Sequence, residues 1–267
     1  MNTVETVGVV IPTYNSAGTI ERALRSVSEQ SVLPDQVVVV DNASTDTTIS
    51  LVEQFAVSAP HLHLSLIKLG MNAGPGNARN TGWDACHTSL IAFLDSDDSW
   101  HPNKLELQLK VIRQHPDDVL FGHKYAILNS GETCTESSLE STGGLRYYTL
   151  RNFLIRNRIS TPTAVVRSNI SQRFPSDAWF AEDFALWTSI LAEGKQAVVI
   201  DAALTYLYKA TYGQSGQSAR LSEMHQGELR ALRSLYFTKV VTQPEFILAN
   251  GWMRLKYLRR LIRRSRV

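Results

Sequence analysis

Short apolar segments alternate with helical patterns along the N-terminal part of the chain. The apolar segments predict strands, and they lie at residues 7–11, 37–40, 64–69 and 90–94. Between them, apolar residues recur at helical spacing, as at residues 20–27, which indicates amphipathic helices. This order predicts an α/β protein with a mostly parallel sheet and helices on both faces.

Polar residues follow the ends of three predicted strands. In such sheets, ligands bind beyond the carboxyl ends of the strands, where the strand order reverses. A single residue of this kind, for example Asp41, would be interpreted as a turn residue. Because clusters occur at three strand ends, we predict a binding site formed by residues Thr13 to Asn15, by Asp41, and by residues Asp95 to Asp98.

The fourth predicted strand ends in three carboxylates, Asp95, Asp97 and Asp98. Ionised carboxylates at the tip of a buried strand cost desolvation energy unless a partner neutralises them. A divalent cation such as Mg²⁺ or Mn²⁺ prefers oxygen ligands and often bridges a carboxylate to substrate phosphates. The alternative is a helix start that Asp97, Asp98 or Ser99 caps before Pro102.

A glycine-rich loop at residues 70–80 joins the third predicted strand to a helix. It lacks the dinucleotide fingerprint G-x-G-x-x-G, because Arg79 occupies the third glycine position, where helix and strand approach closely. The helix amides and the guanidinium of Arg79 could still bind an anion. The alternative is a helix start in which glycine only lets the chain turn.

The composition is that of a globular protein, with 43% hydrophobic and 19% charged residues. We expect neither a signal peptide nor a membrane-spanning segment. The two cysteines, Cys86 and Cys134, suggest a reducing compartment and therefore a cytoplasmic protein, with a single disulfide as the alternative.

The C-terminal tail differs in charge from the rest of the chain. Seven basic residues and no acid follow Gly251, whereas the rest has 20 basic and 25 acidic residues, which argues against nucleic acid as a partner. On a helical wheel, basic residues occupy much of one half of the tail, and the other half holds Trp252, Leu255, Leu258, Leu261 and Ile262. This arrangement predicts an interfacial helix on an anionic membrane, at the inner face of the cell membrane. The alternative is a helix that packs on the rest of the protein.

Five motifs, in order along the chain, resemble those of the family 2 glycosyltransferases. They are VVIPTYN at residues 9–15, VDNASTD at 40–46, NAGPGNARNTG at 72–82, FLDSDD at 93–98 and AEDFALW at 181–187. The resemblance implies a GT-A fold that binds a nucleotide sugar and transfers its sugar with inversion. We expect a catalytic domain over residues 1–210, with a nucleotide-binding half (1–100) and an acceptor half (101–210), and a helical C-terminal extension over residues 211–267.

The resemblance also implies roles for single residues. Asp97, with Asp95 beside it, corresponds to the ligand of a divalent metal, Mn²⁺ or Mg²⁺, and Asp183 corresponds to the catalytic base. Glu182 corresponds to a residue that shapes the acceptor site, although an acidic first helical turn is the alternative for this pair. The nearby Trp179 is either a platform for the acceptor sugar or a core residue. The implied nucleotide-sugar positions are Pro12, Thr13, Tyr14, Asn15, Asp41, Asn72, Gly76, Arg79, Asp95, Ser96 and Asp97, with Asp41 accepting a hydrogen bond from a pyrimidine N3–H.

The chain departs from the family pattern at three points. Asn42 and Ala43 replace the second Asp and the Gly of the D-D-G-S-T-D motif. Residues 206–218 lack the histidine of many members, and Lys209 or Tyr212 is a candidate substitute. The Q-x-x-R-W motif of processive members is absent, which predicts the addition of a single sugar.

Together, these features predict transfer of one sugar from a UDP or dTDP sugar to a hydroxyl of a glycan or lipid-linked acceptor, in cell-surface polysaccharide biosynthesis. Two alternatives remain. A metal-dependent sugar-phosphate nucleotidyltransferase would need a glycine-rich triphosphate cradle with a basic residue, which we do not find in the sequence. A non-catalytic nucleotide-sugar-binding membrane partner would not need Asp95, Asp97 and Asp183.

Overall fold

The computed structural model describes residues 5–128, 144–176, 179–208 and 220–264. Within these residues the chain forms nine strands, which are β1 (Val7–Thr13), β2 (Gln36–Asp41), β3 (Leu64–Lys68), β4 (Leu90–Phe93), β5 (Ser99–Trp100), β6 (Leu120–Ile127), β7 (Leu145–Tyr148), β8 (Val165–Arg167) and β9 (Ala197–Leu207). The α-helices in the same ranges are α1 (Ile20–Ser28), α2 (Thr48–Ser58), α3 (Pro75–Ala85), α4 (Lys104–Gln114), α5 (Leu150–Ile155), α6 (Glu182–Leu191), α7 (Leu221–Phe237) and α8 (Gln243–Arg264).

The four predicted strands form one half of the sheet. Their order is β3-β2-β1-β4, and all three neighbouring pairs are parallel. Every residue of β1 is buried, and α1 buries the predicted stripe of Ile20, Ala23, Leu24 and Val27. A central strand that is buried on both faces is expected of a parallel sheet between helices, and the α/β prediction is confirmed.

Beyond β4 the sheet becomes mixed, in the order β8-β6-β9-β5, with β7 also paired to β9. Strand β8 runs antiparallel to both β4 and β6, whereas β6 and β9 are parallel. The sequence did not predict these antiparallel pairs. The strands β5, β7 and β8 have only 2, 4 and 3 residues, which is too short for a periodic pattern.

The C-terminal helices α7 and α8 share an apolar cluster with α6. Leu232 of α7, Met253 of α8 and Phe184 of α6 belong to this cluster, and all three are buried. The helices therefore rest on α6, which begins at Glu182. The predicted domain boundary at residue 210 lies outside the described residues, and the division into two parts remains a prediction.

Helix α8 packs on α7 through the face that carries Met253, Lys256 and Arg260. Met253 is fully buried. The Lys256 amino group lies 4.0 Å from the Glu228 carboxylate, and the Arg260 guanidinium lies 3.3 Å from it. The five apolar residues predicted to face a membrane lie elsewhere on the helix and are between 38% and 56% exposed. Helix α8 thus packs on α7 with one side and exposes apolar residues on another side. In the described part of the chain, no helix is long and apolar enough to cross a bilayer.

Candidate active site

A cavity of about 990 Å³ lies where the carboxyl ends of β1 and β4 face the N-terminus of α6. Two predicted site residues do not line this cavity: Asp41 lies beside Thr13 in the register of β1 and β2, and Gly76 lies in the first turn of α3. The other predicted site residues line the cavity itself, namely Pro12, Thr13, Tyr14, Asn15, Asn72, Arg79, Asp95, Ser96, Asp97, Trp179, Glu182 and Asp183. The fold therefore brings both halves of the predicted site together.

Two buried polar groups lie side by side at the ends of β1 and β2. Thr13 and Asp41 are register partners, and only 2% and 1% of their surfaces are exposed. One carboxylate oxygen of Asp41 accepts the Ser44 N–H at 2.9 Å. Among the described residues, neither the other oxygen, Oδ1, nor Thr13 Oγ1 has a hydrogen-bond partner. Because an unsatisfied buried polar group costs about 1–3 kcal/mol, these atoms indicate a polar ligand.

Asn42, one of the departures from the family motif, joins β2 to the glycine-rich loop. Its amide donates to Asn72 Oδ1 at 2.8 Å, and its Oδ1 accepts the Ala73 N–H at 3.0 Å. An aspartate could accept from Ala73 but could not donate to Asn72 when ionised. The loop turns at Gly74, whose φ of +87° favours glycine, and the indole of Trp179 lies against it. Trp179 is 46% exposed and is therefore a cavity residue rather than a core residue.

Helix α3 approaches the sheet closely at Gly82, about one turn beyond Arg79. A Cβ at Gly82 would lie 2.4 Å from Val10 Cγ1 and 3.1 Å from Val40 Cγ2, so a larger residue does not fit. The close approach that the dinucleotide fingerprint would place at Arg79 thus occurs at a later glycine. This arrangement lets the long Arg79 side chain extend into the site.

The guanidinium of Arg79 connects the two halves of the site. Its Nη2 lies 2.6 Å from Asp95 Oδ1, and its Nη1 lies 2.9 Å from Glu182 Oε1. Burial disfavours the charge on Arg79, but the two carboxylates outweigh this effect and raise its pKa above the ordinary value. The sequence predicted nucleotide contact for Arg79 and acceptor contact for Glu182. In the structure these two side chains bind each other, and the pair holds Asp95 near the start of α6.

The turn after β4 presents Asp95 and Asp97 to the cavity. The Arg22 guanidinium donates to the Asp97 carbonyl oxygen at 2.5 Å and lies 3.7 Å from the centre of the Tyr208 ring. This contact uses the backbone of Asp97 and holds the turn that carries the two carboxylates. Arg22 of α1, the end of β4 and Arg79 of α3 therefore set the position of the acidic turn.

The oxygen groups of this turn fit a Mg²⁺ or Mn²⁺ ion. Such ions are usually held by one or two carboxylates together with substrate phosphates and water. Asp95 and Asp97 supply two carboxylates, although Asp95 also pairs with Arg79. Within the described ranges, no group of three or more His, Cys, Asp or Glu side chains could hold a metal ion. A site of two carboxylates completed by a phosphorylated ligand is compatible with both observations.

Asp183 lies in the first turn of α6 with both carboxylate oxygens hydrogen-bonded. Oδ1 accepts the Phe184 N–H at 2.6 Å, and Oδ2 accepts the Asn157 amide at 2.9 Å. Burial raises the pKa of Asp183 to about 7, and the charge of Glu182 adds to this effect, whereas the two hydrogen bonds and Arg79 oppose it. A fixed carboxyl group that titrates near neutral pH has the properties of a general base.

A glycine of α7 supports the start of α6. A Cβ at Gly227 would lie 2.2 Å from the Phe180 carbonyl oxygen and 3.0 Å from the Ala181 Cβ. Ala181 itself is in the left-handed region, with a φ of 57°. Helix α7 therefore contacts the chain directly before Glu182 and Asp183, and a larger residue at position 227 would displace it.

Arg22, Asn157 and Gly227 contribute to the site but were not predicted, because none belongs to a recognised motif. A usable signal exists for Gly227, since a glycine inside a helical pattern costs about 1 kcal/mol and suggests a packing reason. Asn157 and Arg22 carry no local signal of this kind. Lys209, Tyr212 and Cys134 lie outside the described residues.

Solved structures with the same fold are glycosyltransferases. Residues 1–349 of TarS from S. aureus, in complex with UDP-GlcNAc, match with a TM-score of 0.70 and 23% identity over 96% of this chain and 72% of that one. The mannosyltransferase PcManGT from Pyrobaculum calidifontis, in complex with GDP-Man and Mn²⁺, matches with a TM-score of 0.68 and 21% identity over 100% of this chain and 76% of that one. The mixed sheet, its flanking helices and the cavity at the strand ends define a GT-A glycosyltransferase fold.

Sequence comparison gives the family. The sequence model of glycosyl transferase family 2 matches residues 8–172, and the chain belongs to this family. TuaG of Bacillus subtilis, a glycosyltransferase named for teichuronic acid biosynthesis, is 26% identical over 87% of this chain and 90% of its own length. WfgD of Escherichia coli, a UDP-Glc:α-D-GlcNAc-diphosphoundecaprenol β-1,3-glucosyltransferase, is 29% identical over 72% of each chain. The protein is a glycosyltransferase, as the resemblance of its motifs predicted.

Proposed function

We propose that the protein transfers one sugar, with inversion, from a UDP or dTDP sugar to a hydroxyl of a glycan or lipid-linked acceptor in cell-surface polysaccharide biosynthesis. One observation carries the proposal: Thr13, whose hydroxyl has no hydrogen-bond partner among the described residues, lines the same cavity as the carboxyl group of Asp183, and Asp41 lies beside Thr13. The relatives support it, because WfgD is named for UDP-Glc and a lipid-diphosphate acceptor and TuaG for a cell-wall polymer.

The nucleoside binds at the ends of β1 and β2. Asp41 Oδ1 is an acceptor without a partner among the described residues, and it suits the N3–H of uracil or thymine. Tyr14 is 48% exposed at the cavity and offers an aromatic face to the base. The glycine-rich loop, closed by Asn42 and Asn72, forms the neighbouring wall.

The diphosphate lies next to the acidic turn after β4. Asp97 and Asp95 would hold Mn²⁺ or Mg²⁺, which would supply positive charge against the charge that develops on the departing diphosphate. Arg79 fixes the Asp95 carboxylate at 2.6 Å, and Arg22 fixes the Asp97 carbonyl at 2.5 Å, so the Asp95 carboxylate and the backbone that carries Asp97 are preorganised. The Mn²⁺ in the PcManGT complex supports this assignment.

Asp183 removes the proton from the acceptor hydroxyl. The Asn157 amide and the Phe184 N–H hold its two oxygens, so the carboxylate keeps one orientation toward the cavity. The hydroxyl then attacks the anomeric carbon as the diphosphate leaves. Because this single displacement uses no nucleophile of the protein, it inverts the anomeric centre.

The donor class is tested by incubating the protein with UDP, dTDP and GDP sugars in the presence of Mn²⁺ or Mg²⁺. We expect slow hydrolysis of a UDP or dTDP sugar, measured as release of the nucleoside diphosphate. Release of pyrophosphate from a nucleoside triphosphate and a sugar phosphate would instead indicate a nucleotidyltransferase. Failure to bind any nucleotide in a calorimetric titration with Mn²⁺ would contradict the proposal.

The pKa of Asp183 predicts how transfer depends on pH. Because burial raises this pKa to about 7, the carboxyl is protonated and inactive at lower pH, and the rate should rise through about pH 7 and then level off. The Asn157 hydrogen bond lowers the pKa, so Asn157→Ala should move the rise to higher pH. A rise centred near about pH 4, the ordinary value for aspartate, would contradict the role of burial.

We also propose that α8 contacts an anionic membrane through its exposed apolar residues. The variant Leu255→Ser/Leu258→Ser should lose binding to anionic vesicles in a sedimentation assay, because these side chains are 56% and 54% exposed. Val57→Ser is a matched control, since Val57 is 84% exposed on α2. Deletion of the tail is less informative, because it removes the buried Met253. Equal binding of the double variant and the wild type, or no wild-type binding at low salt, would contradict the proposal.

A further inference from the structure

A second cavity, of about 490 Å³, opens between α5 and α8. It is separate from the cavity that holds the predicted donor site, and its surface is almost entirely apolar. Leu248 on one side and Ile155 on the other are 74% and 51% exposed. The lining residues are Arg151, Leu154, Ile155, Glu245, Leu248, Ala249 and Trp252. We call this cavity the α5–α8 groove.

The α5–α8 groove continues into the exposed apolar face of α8. Leu248, Trp252, Leu255 and Ile262 are spaced at i, i+4, i+7 and i+14, so they follow one side of the helix. Trp252 and Leu255 are 43% and 56% exposed. An apolar path therefore runs from the surface proposed to contact the membrane into the groove.

The other side of the α5–α8 groove leads to the catalytic base. The Trp252 indole donates to the Ile155 carbonyl oxygen at 2.8 Å, which ties α8 to the end of α5. Two residues later, Asn157 donates to Asp183 at 2.9 Å. Two residues of extended chain span about 7 Å. The wall of the groove and the partner of Asp183 are thus parts of one short segment.

Basic residues adjoin the α5–α8 groove in the chain, because Arg156 follows Ile155 and Lys256 lies about one helical turn beyond Trp252. Arg156 lies between Ile155 and Asn157 in the chain and is exposed. Burial lowers the pKa of Lys256, and the neighbouring charges of Arg260 and Arg156 lower it further, while Glu228 opposes them. Lys256 and Arg260 share the Glu228 carboxylate, and the charge of Arg156 acts on Lys256, so these three cations exceed the charge of Glu228 and suit a phosphate.

We propose that the α5–α8 groove binds the hydrocarbon chain of a lipid-linked acceptor, whose phosphate group meets Arg156 and Lys256 and whose sugar reaches Asp183. In the protein, the apolar groove is followed by the cations Arg156 and Lys256 and then by the base Asp183. The sequence of groups in such an acceptor is hydrocarbon chain, phosphate and sugar hydroxyl. This inference rests on the proposed function, and it specifies the acceptor class of the same site.

Isoprenyl phosphates of two lengths test the inference without knowledge of the acceptor sugar. Geranyl phosphate, farnesyl phosphate and inorganic phosphate are titrated into the full-length protein by calorimetry, in buffer without detergent. Each additional buried methylene should raise the affinity about threefold to fourfold, so farnesyl phosphate should bind much more tightly than geranyl phosphate. Inorganic phosphate should bind weakest. Equal affinity for the two isoprenyl phosphates would overturn the proposal.

Two pairs of substitutions locate the binding. Ile155→Ser/Leu248→Ser changes the groove and should remove the dependence on chain length, whereas Leu255→Ser/Leu258→Ser changes exposed residues that do not line the groove and should retain it. Arg156→Gln should weaken both isoprenyl phosphates by a similar factor. If Leu255→Ser/Leu258→Ser loses the dependence on chain length, the chain binds the exposed face and the proposal fails. Thermal unfolding of each variant shows whether the fold is retained.

Donor hydrolysis by the wild-type protein separates the two proposals. If a UDP or dTDP sugar is hydrolysed but farnesyl phosphate binds no better than inorganic phosphate, the groove inference fails and the proposed function stands. If farnesyl phosphate binds in the groove but no nucleotide sugar is bound or hydrolysed, the proposed function fails instead.

Discussion

Asp183→Asn is expected to lower the rate of sugar transfer at least about a hundredfold, while donor affinity stays near that of the wild type. Asparagine keeps the size of the side chain and can still occupy the place next to Asn157 and the Phe184 N–H. It cannot take a proton from the acceptor hydroxyl, however, so only the chemical step is affected. Transfer under saturating donor, together with calorimetric titration of the nucleoside diphosphate, measures both quantities.

Asp84→Asn is a matched control for this substitution. Asp84 also lies on a helix, and its side chain is 64% exposed and paired with Arg173 away from the cavity. We expect wild-type transfer in this variant. A wild-type rate in Asp183→Asn would refute the role of base. Proton NMR of the fresh product is a second check, because a retained anomeric configuration would exclude a single displacement.

Asp97→Ala is expected to abolish the dependence of donor binding and turnover on Mn²⁺ or Mg²⁺ without unfolding the protein. The contact that fixes this turn uses the Asp97 carbonyl, which the substitution keeps, so the backbone should stay in place. The variant loses the cavity-lining carboxylate that is proposed to bind the ion. Nucleotide titrations with and without Mn²⁺ measure the effect, and the wild type with a chelator should behave like the variant.

The exposed residue Asp117 provides the corresponding control, and Asp117→Ala should leave metal-dependent binding unchanged. Two results would contradict the assignment. One is full activity of Asp97→Ala in the presence of a chelator. The other is Mn²⁺-dependent nucleotide binding by Asp97→Ala at wild-type affinity, which would mean that other groups hold the ion.

The sequence by itself determined the parallel half of the sheet and predicted the residues that line the candidate site. The segments that form β1, β2, β3 and β4 are largely apolar, and the first two helices between them have apolar residues at helical spacing, so local periodicity was sufficient for these elements. The site followed from a general property of such sheets, because residues that follow parallel strands meet at one edge. The motifs around Asp41, Asp97 and Asp183 then indicated the family, which sequence comparison confirmed.

Only the tertiary structure decided which of these residues contact one another. Arg79 binds Glu182 across 103 positions of the chain, and Asn157 binds Asp183 across 26, and neither contact has a local pattern that predicts it. The antiparallel strands were also missed, because segments of two to four residues are stabilised by their neighbours rather than by their own periodicity.

The tail shows the same division between sequence and tertiary structure. The helical wheel identified an amphipathic helix, but it could not show which face would be buried. In the structure Met253, Lys256 and Arg260 face α7, because Glu228 and an apolar cluster are available there. Trp252 and Leu255 remain exposed. A sequence pattern fixes which residues share a face of a helix, whereas the surface that meets that face depends on how distant segments pack.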